Sequence, residues 1–402
     1  MTSEMKNAWA AELEGCLRDN ILPYWLEWMA DPESGFYGRR DGNDVLHPEA
    51  DRGAVLNARI LWTFAAAWRQ TGDDRYLEAA RKAYRYFEAH FIDPEEGGVY
   101  WSVKSDGTPA DDRKQFYAIA FAIYAYAEFY RATGEGAVLE RAMELFDCIE
   151  RHSRDRRLGG YIEATTRSWE PIADMRLSDK DANACKTMNT HLHILEGYTG
   201  LLKASRTPAL EEAVGSLLDI FFDRIEDHES HHLGLFFDAD WRRQDGEQSF
   251  GHDIEASWLL LEAAETLGDP VRLERAMRHT RRIAEAGLQG RCHDGSMVYE
   301  RHASGSYDNE KHWWVQAECG RSGVARRPSR HVGPARQSAA DVAVYRQPSG
   351  RPYAGRMALE RDARRQRQPQ GRQGRILEVS LPQFAHVHGA AQDSSEVIRI
   401  LH

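Results

Sequence analysis

VLNARILWTFAAAWRQTGDDRYLEAARKAYRYFEAHFID, Val55 to Asp93, decides the fold. Apolar residues recur at helical spacing on both sides of TGDD, whose Gly and Asp residues stop one helix and start the next. The plan returns in QFYAIAFAIYAYAEFYRATGEGAVLERAMELFDCIERH (Gln115 to His152). It returns again in THLHILEGYTGLLKASRTPALEEAVGSLLDIFFDRI (Thr190 to Ile225) and DIEASWLLLEAAETLGDPVRLERAMRHTRRIAEA (Asp253 to Ala286). A short acidic, Gly and aromatic segment follows each second helix: DPESGFYGR at Asp31, DPEEGGVYW at Asp93, DRRLGGYIE at Asp155, DHESHHLGLFFD at Asp227 and HDGSMVYE at His293. Helical hairpins repeating at about 62 to 72 residues predict a closed toroid or an open solenoid. Five repeats are visible, so a six-hairpin ring needs one more.

The chain has 402 residues, 42% of them hydrophobic, enough for a large buried core. No apolar run approaches the roughly 18 residues of a membrane span. The first residues, MTSEMKNAWAAELEGCLRDNILPYWLEWM, are acidic and amphipathic, unlike a signal peptide. Five scattered cysteines (Cys16, Cys148, Cys185, Cys292, Cys319) form no CxxC pair, which fits a reducing cytoplasm. A net charge of −11 argues against a nucleic-acid binder. Neither a membrane nor a nucleic acid is an expected partner. A monomer or weak homodimer is expected.

The charge is unevenly spread. Residues 1–320 carry 57 acids and 37 Lys and Arg; residues 321–402 carry 15 Arg, 6 acids, no Lys and no Trp. Helical periodicity stops at Cys319. We therefore divide the chain into a helical domain, 1–318, with five of six hairpins, and an Arg-rich segment, 319–402. A disordered basic tail is the plain reading of that segment. Codon arithmetic supplies another. Shifted by one nucleotide, GRILEVSLPQFAHVHG (Gly374 to Gly389) permits AGFWKCPYHNSRMCM. The same shift on YRQPSGRPYAGRMALER (Tyr345 to Arg361) permits IVNHLVDP and then WHWSV, which parallels FEAHFIDPEEGGVYWSV (Phe87 to Val103). The expectation is that 319–402 is an out-of-frame translation of the sixth hairpin.

Two strings carry the chemistry: MNTHLHILEGY (Met188 to Tyr198) and SFGHDIEASWLLL (Ser249 to Leu261). Asn189 and His193 are i,i+4, and His252 and Glu255 are i,i+3, so each pair shares a helix face inside an apolar pattern. Polar residues on a face that should be core predict a lined cavity, and imidazole suits proton transfer near neutral pH. On this spacing Glu255 is expected to hydrogen-bond the His252 ring. His191, two positions from His193, points away and is expected to be structural; an H-x-H metal site finds no third ligand in register. Arg59 is a cation on an apolar helix and needs an anion.

With these strings, HPEADRGAVLNARILWTFAAA (His47 to Ala67), DDRKQFYAIAFAIYA (Asp111 to Ala125), SDKDANACKTMNTHLHILEGY (Ser178 to Tyr198), SFGHDIEASWLLLEAA (Ser249 to Ala264) and KHWWVQAE (Lys311 to Glu318) resemble the N-acylglucosamine 2-epimerase superfamily, most of all its cellobiose 2-epimerase branch. The resemblance covers residues 8–318. It implies an all-α (α/α)6 barrel with a central active site and no cofactor or metal. It implies C2 epimerisation of a reducing sugar, a disaccharide or monosaccharide, through ring opening and an enediolate. His252 is then one acid/base, with Glu255 behind it. His193 lies by the ring oxygen and C1, and Arg59 faces the enediolate oxygens. Asn189 and Asp181 bind hydroxyls, Tyr117 lines the cleft, and Trp313 and Trp314 offer a flat face to the sugar. The out-of-frame FWKCPYHN string is similar to the family's last motif, which carries a second catalytic histidine; His386 and His388 lack that context. Competing readings are a mannose aldose–ketose isomerase, an N-acetylglucosamine 2-epimerase, an inverting glycoside hydrolase (disfavoured by a cleft of His, Arg and Asn rather than paired carboxylates) and a non-catalytic sugar-binding protein.

Overall fold

A computed structural model describes residues 3–179 and 181–321. The chain opens with α1 (Ser3–Cys16), prolonged by wider helical turns over 17–29. Then come four hairpins: α2 (Ala54–Thr71) with α3 (Asp74–His90), α4 (Phe116–Thr133) with α5 (Gly136–His152), α6 (Met188–Ala204) with α7 (Pro208–Ile220), and α8 (Phe250–Leu267) with α9 (Pro270–Gly287). The last described helix is α10 (Trp313–Arg321).

Sequence sorts these helices into two layers. α4 reads FYAIAFAIYAYAEF and buries nearly all of it, as a helix apolar all round must. α3 instead buries Tyr76, Ala79, Ala80, Ala83, Tyr86 and Phe87, one stripe of a charged helix. The all-round helices α2, α4, α6, α8 and α10 pack on one another in chain order as an inner wall, and the striped helices cover them. Inner helices pass to outer ones through tight turns. Gly72, Gly134 and Gly268 end α2, α4 and α8 at φ 69°, 71° and 75°, left-handed positions that glycine occupies without cost.

The return connections are long and lie at the N-terminal ends of the inner helices. There the repeats are stitched together by short antiparallel strands. Residues 52–53 pair with 102–103, 114–115 with 164–165, 186–187 with 236–237, and 248–249 with 300–301. The acidic turns found in the sequence each close on a single bridge: Ala30–Phe36, Ile92–Val99, Arg154–Tyr161, Glu226–Leu233 and Arg291–Met297. In the first three, one oxygen of Asp31, Asp93 or Asp155 accepts backbone N–H groups of its own turn. The other takes a cation two residues before the next inner helix: Arg52 at 2.5 Å, Lys114 at 2.8 Å and Lys186 at 2.8 Å. Both side chains of the Lys114–Asp93 pair are fully buried, and removing one partner of such a pair costs about 3–5 kcal/mol.

The mostly helical chain with a double-layered ring of hairpins agrees with the (α/α)6 expectation. The other inner helices have 17 or 18 residues, and α10 is described over its first nine. Of the expected out-of-frame segment, 319–402, residues 319–321 belong to α10 and the rest, 322–402, lies outside the described residues.

Candidate active site

The inner helices carry the chemistry in register. Their sixth residues are Arg59, Phe121, His193, Glu255 and Glu318, which form one layer around the axis. Neighbours touch within it. The Arg59 guanidinium lies 4.3 Å from the Phe121 ring centre, the Phe121 and His193 rings are 4.7 Å apart, and His193 Nε2 is 4.0 Å from a Glu255 oxygen. One turn deeper, the ninth residues continue the packing: Trp62 stacks on Tyr124 at 5.1 Å, and the Trp258 indole N–H donates to Glu318 at 2.5 Å. Nearer the helix starts, Tyr117 meets the His193 ring edge-on at 4.9 Å, and Trp314 lies 4.9 Å from His252. Gly251 makes room for that indole, since a Cβ there would sit 2.6 Å from Trp314.

His193 is buried, and its Nδ1 pairs with the Glu196 carboxylate at 2.8 Å. With the proton on Nδ1, Nε2 is free toward Glu255. His252 is held differently: its Nδ1 meets the Ser249 hydroxyl at 2.7 Å. Ser249 stands at the N-cap of α8 without capping it, because its hydroxyl is spent on the histidine. Burial, with His193 acting in the same direction, pushes the His252 imidazole down to about 3, so it is neutral at neutral pH. Burial pushes Glu255 up to about 8; His193 and Arg59 oppose this, while Glu318 and Glu196 reinforce it. Burial thus favours the protonated form of the Glu255 carboxyl.

The sequence expectation that Glu255 would orient His252 is corrected: the i,i+3 pair does not close. Across the ring Glu255 faces His193, and Ser249 takes the His252 ring instead. Arg59 needed an anion, and among the described residues no carboxylate lies within ion-pair reach of it and its Nε has no partner. Its charge is left to whatever enters the cleft. His191 is structural as expected: Nδ1 meets the Thr187 carbonyl at 2.6 Å and Nε2 accepts the Tyr161 N–H.

A cavity of about 310 Å³ opens between the starts of α6 and α8 and reaches Asn189 and His252. The buried Asn189 Oδ1 has no hydrogen-bond partner among the described residues, which leaves an acceptor open on the cavity wall. Asp181 lines the same cavity but is occupied by the N–H and hydroxyl of Ser178, both at 2.9 Å. Glu163 and Glu300 form part of the wall. Burial pushes each up to about 7, and Glu163 is held by the Thr187 and Thr190 hydroxyls. Trp313 is half-buried at the start of α10. Sequence reasoning missed Glu196, Ser249 and Phe121; Glu196 alone left a signal, a Glu three residues after His193. Among the described residues, the one set of His, Cys, Asp and Glu donors converging tightly enough for a metal ion is Glu226, His228 and His279, in the outer layer. No helix of the described residues is long and apolar enough to cross a membrane.

Known proteins share this fold. The cellobiose 2-epimerase of Bacteroides fragilis is 52% identical over 309 residues, covering 76% of this chain and 79% of its own. The structure of cellobiose 2-epimerase from Bacillus thermoamylovorans superposes with a TM-score of 0.78 at 33% identity, over 84% of this chain and 87% of that one. A D-mannose isomerase structure superposes with a TM-score of 0.71 at 20% identity, over 84% of this chain and 86% of that one, a likeness of fold alone. Residues 35–340 match the profile of the N-acylglucosamine 2-epimerase (GlcNAc 2-epimerase) family. The double ring of hairpins is thus accounted for by descent: the chain belongs to the N-acylglucosamine 2-epimerase family.

Proposed function

We propose that this isomerase epimerises the reducing-end sugar of β-1,4-linked disaccharides such as cellobiose at C2. It acts in the cytoplasm as a monomer or weak homodimer, and the reaction itself uses no cofactor or metal ion. The observation that carries this reading is the sixth-residue layer, in which the Phe121 ring joins Arg59 to His193 and His193 faces Glu255. The B. fragilis relative supports the choice of substrate.

Epimerisation needs an open ring, a base for the C2 proton, and positive charge for the enediolate oxygens. His193 and the neutral Glu255 carboxyl are the proton carriers at O1 and the ring oxygen. His252, neutral and held by Ser249, takes the C2 proton. Arg59, lacking a protein carboxylate, balances the enediolate. The inner-helix N-termini at Gly53, Gln115 and Ser249, which have no side-chain cap, add their positive ends. Asn189 and Asp181 bind hydroxyls, and Tyr117, Trp313 and Trp314 line the sugar face. Delivery of a proton to C2 from the opposite face needs a second acid/base that carries its proton at that stage, which we assign to the histidine of the out-of-frame FWKCPYHN string.

The test compares this chain with the product of the gene restored by one nucleotide near the Glu318 codon. With cellobiose, the restored protein should form the C2 epimer at least about a hundredfold faster, the range of a missing acid/base, and melt higher. Equal activity and equal stability defeat the out-of-frame reading; a ketose as main product defeats the epimerase reading in favour of an aldose–ketose isomerase.

A further inference from the structure

The fourth turn departs from its siblings at three places, and all three departures meet. The bridge position before the turn aspartate is Ala30, Ile92 or Arg154 in the first three repeats and Glu226 in the fourth. The left-handed position four residues into the turn is Gly35, Gly97 or Gly159 in the first three and His231, at φ 63°, in the fourth. A side chain there is strained, so something local must hold it. The tenth residue of the outer helices is Ala83, Leu145 and Leu217, all buried, but His279 in α9. His231 Nδ1 lies 2.8 Å from one Glu226 oxygen, and His279 Nδ1 lies 2.5 Å from the other. Glu226 itself is buried, with no Lys or Arg pairing with it among the described residues. Exposed His228 brings a third imidazole, so one donor atom each from Glu226, His228 and His279 lies within 4.8 Å of the others.

We propose that Glu226, His228 and His279 bind a divalent transition-metal ion of the zinc type, with His231 holding the second Glu226 oxygen. Two imidazoles and a carboxylate are a donor set for Zn²⁺ or Co²⁺ rather than Mg²⁺ or Ca²⁺, which prefer oxygen. Binding requires both rings neutral, with His279 carrying its proton on Nε2. The ion would clamp the end of the α7 segment to α9. The same turn continues into His232, whose Nδ1 meets Asp253 at 2.6 Å beside the proposed base, His252.

The full chain, freed of metal with a chelator, is titrated with Zn²⁺ by calorimetry and with Co²⁺ by its tetrahedral absorption, alongside His228→Ala and His279→Gln. His228 makes no hydrogen bond in the turn and is exposed, so its loss leaves the fold intact. The expected result is one more bound ion per chain in the wild type than in either variant, or affinity weakened by more than about tenfold. A rise in melting temperature with Zn²⁺ should be absent from His228→Ala. Equal stoichiometry and affinity in wild type and His228→Ala overturn the proposal, since other histidines then account for any binding.

Discussion

His193 and His252 stand on adjacent inner helices in one cleft and are held by opposite means. His193 leans on a carboxylate, Glu196, and packs against the rings of Tyr117 and Phe121. His252 leans on a hydroxyl, Ser249, beside Trp314. A carboxylate partner compensates a positive ring; a hydroxyl partner fixes the ring without compensating it. On the mechanism proposed above, the difference divides the labour: His252 is the base that starts without charge, and His193 is the proton carrier whose partner is a carboxylate. Environments that separate two like groups are how one cleft supplies both an acid and a base.

Removing the neutral member should hurt most. In the frame-restored protein, His252→Asn is expected to lower kcat for cellobiose by about 10³-fold or more, with KM little changed. Retention of activity within tenfold would mean that the C2 proton leaves by another route. The partners come next. Glu196→Gln keeps the hydrogen bond but removes the compensating charge, and should cost about 10- to 100-fold in kcat. Ser249→Ala, which loses only orientation, should cost less, on the order of several-fold. If Ser249→Ala were the more damaging of the two, the contrast between the histidines would be inverted.

The sequence announced the histidines because they interrupt apolar helices, and the hairpins because helical period and turn residues are local properties. Partners were harder. Glu255 and His252 share a helix face, yet a closer neighbour across the ring wins Glu255, because inner helices of this barrel meet at equivalent positions. That layer becomes legible only once each helix start is known, since Arg59, Phe121, His193, Glu255 and Glu318 align at the sixth residue. Ser249 drew no notice in the sequence, and nothing local said that its hydroxyl would turn to His252. The buried staples of Lys114 and Lys186 were hidden for the same reason: each joins residues in different repeats.

The smallest effect probes the comparison without catalysis. Glu255 is raised from 4.5 to about 8, so between those values the folded protein binds a proton that the unfolded chain has lost. Its contribution to stability is therefore full below about 4.5 and fades as pH rises through 8. His252 has the opposite sign: lowered from 6.5 to about 3, it contributes fully above 6.5 and loses that contribution as pH falls toward 3. Glu163 and Glu300, both raised to about 7, add to the alkaline slope, so no single change abolishes it. Urea unfolding of wild type and Glu255→Gln from pH 5 to 8.5 isolates the Glu255 share. The variant should gain on the wild type steadily as pH rises, because glutamine has no proton to lose in the buried layer. His252→Asn should gain on the wild type in the other direction, from pH 6.5 downward. A stability difference between Glu255→Gln and wild type that stays flat across this range would mean that Glu255 ionises in the cleft as it does in water, and the cleft would then lack the neutral acid that sets it apart from its histidines.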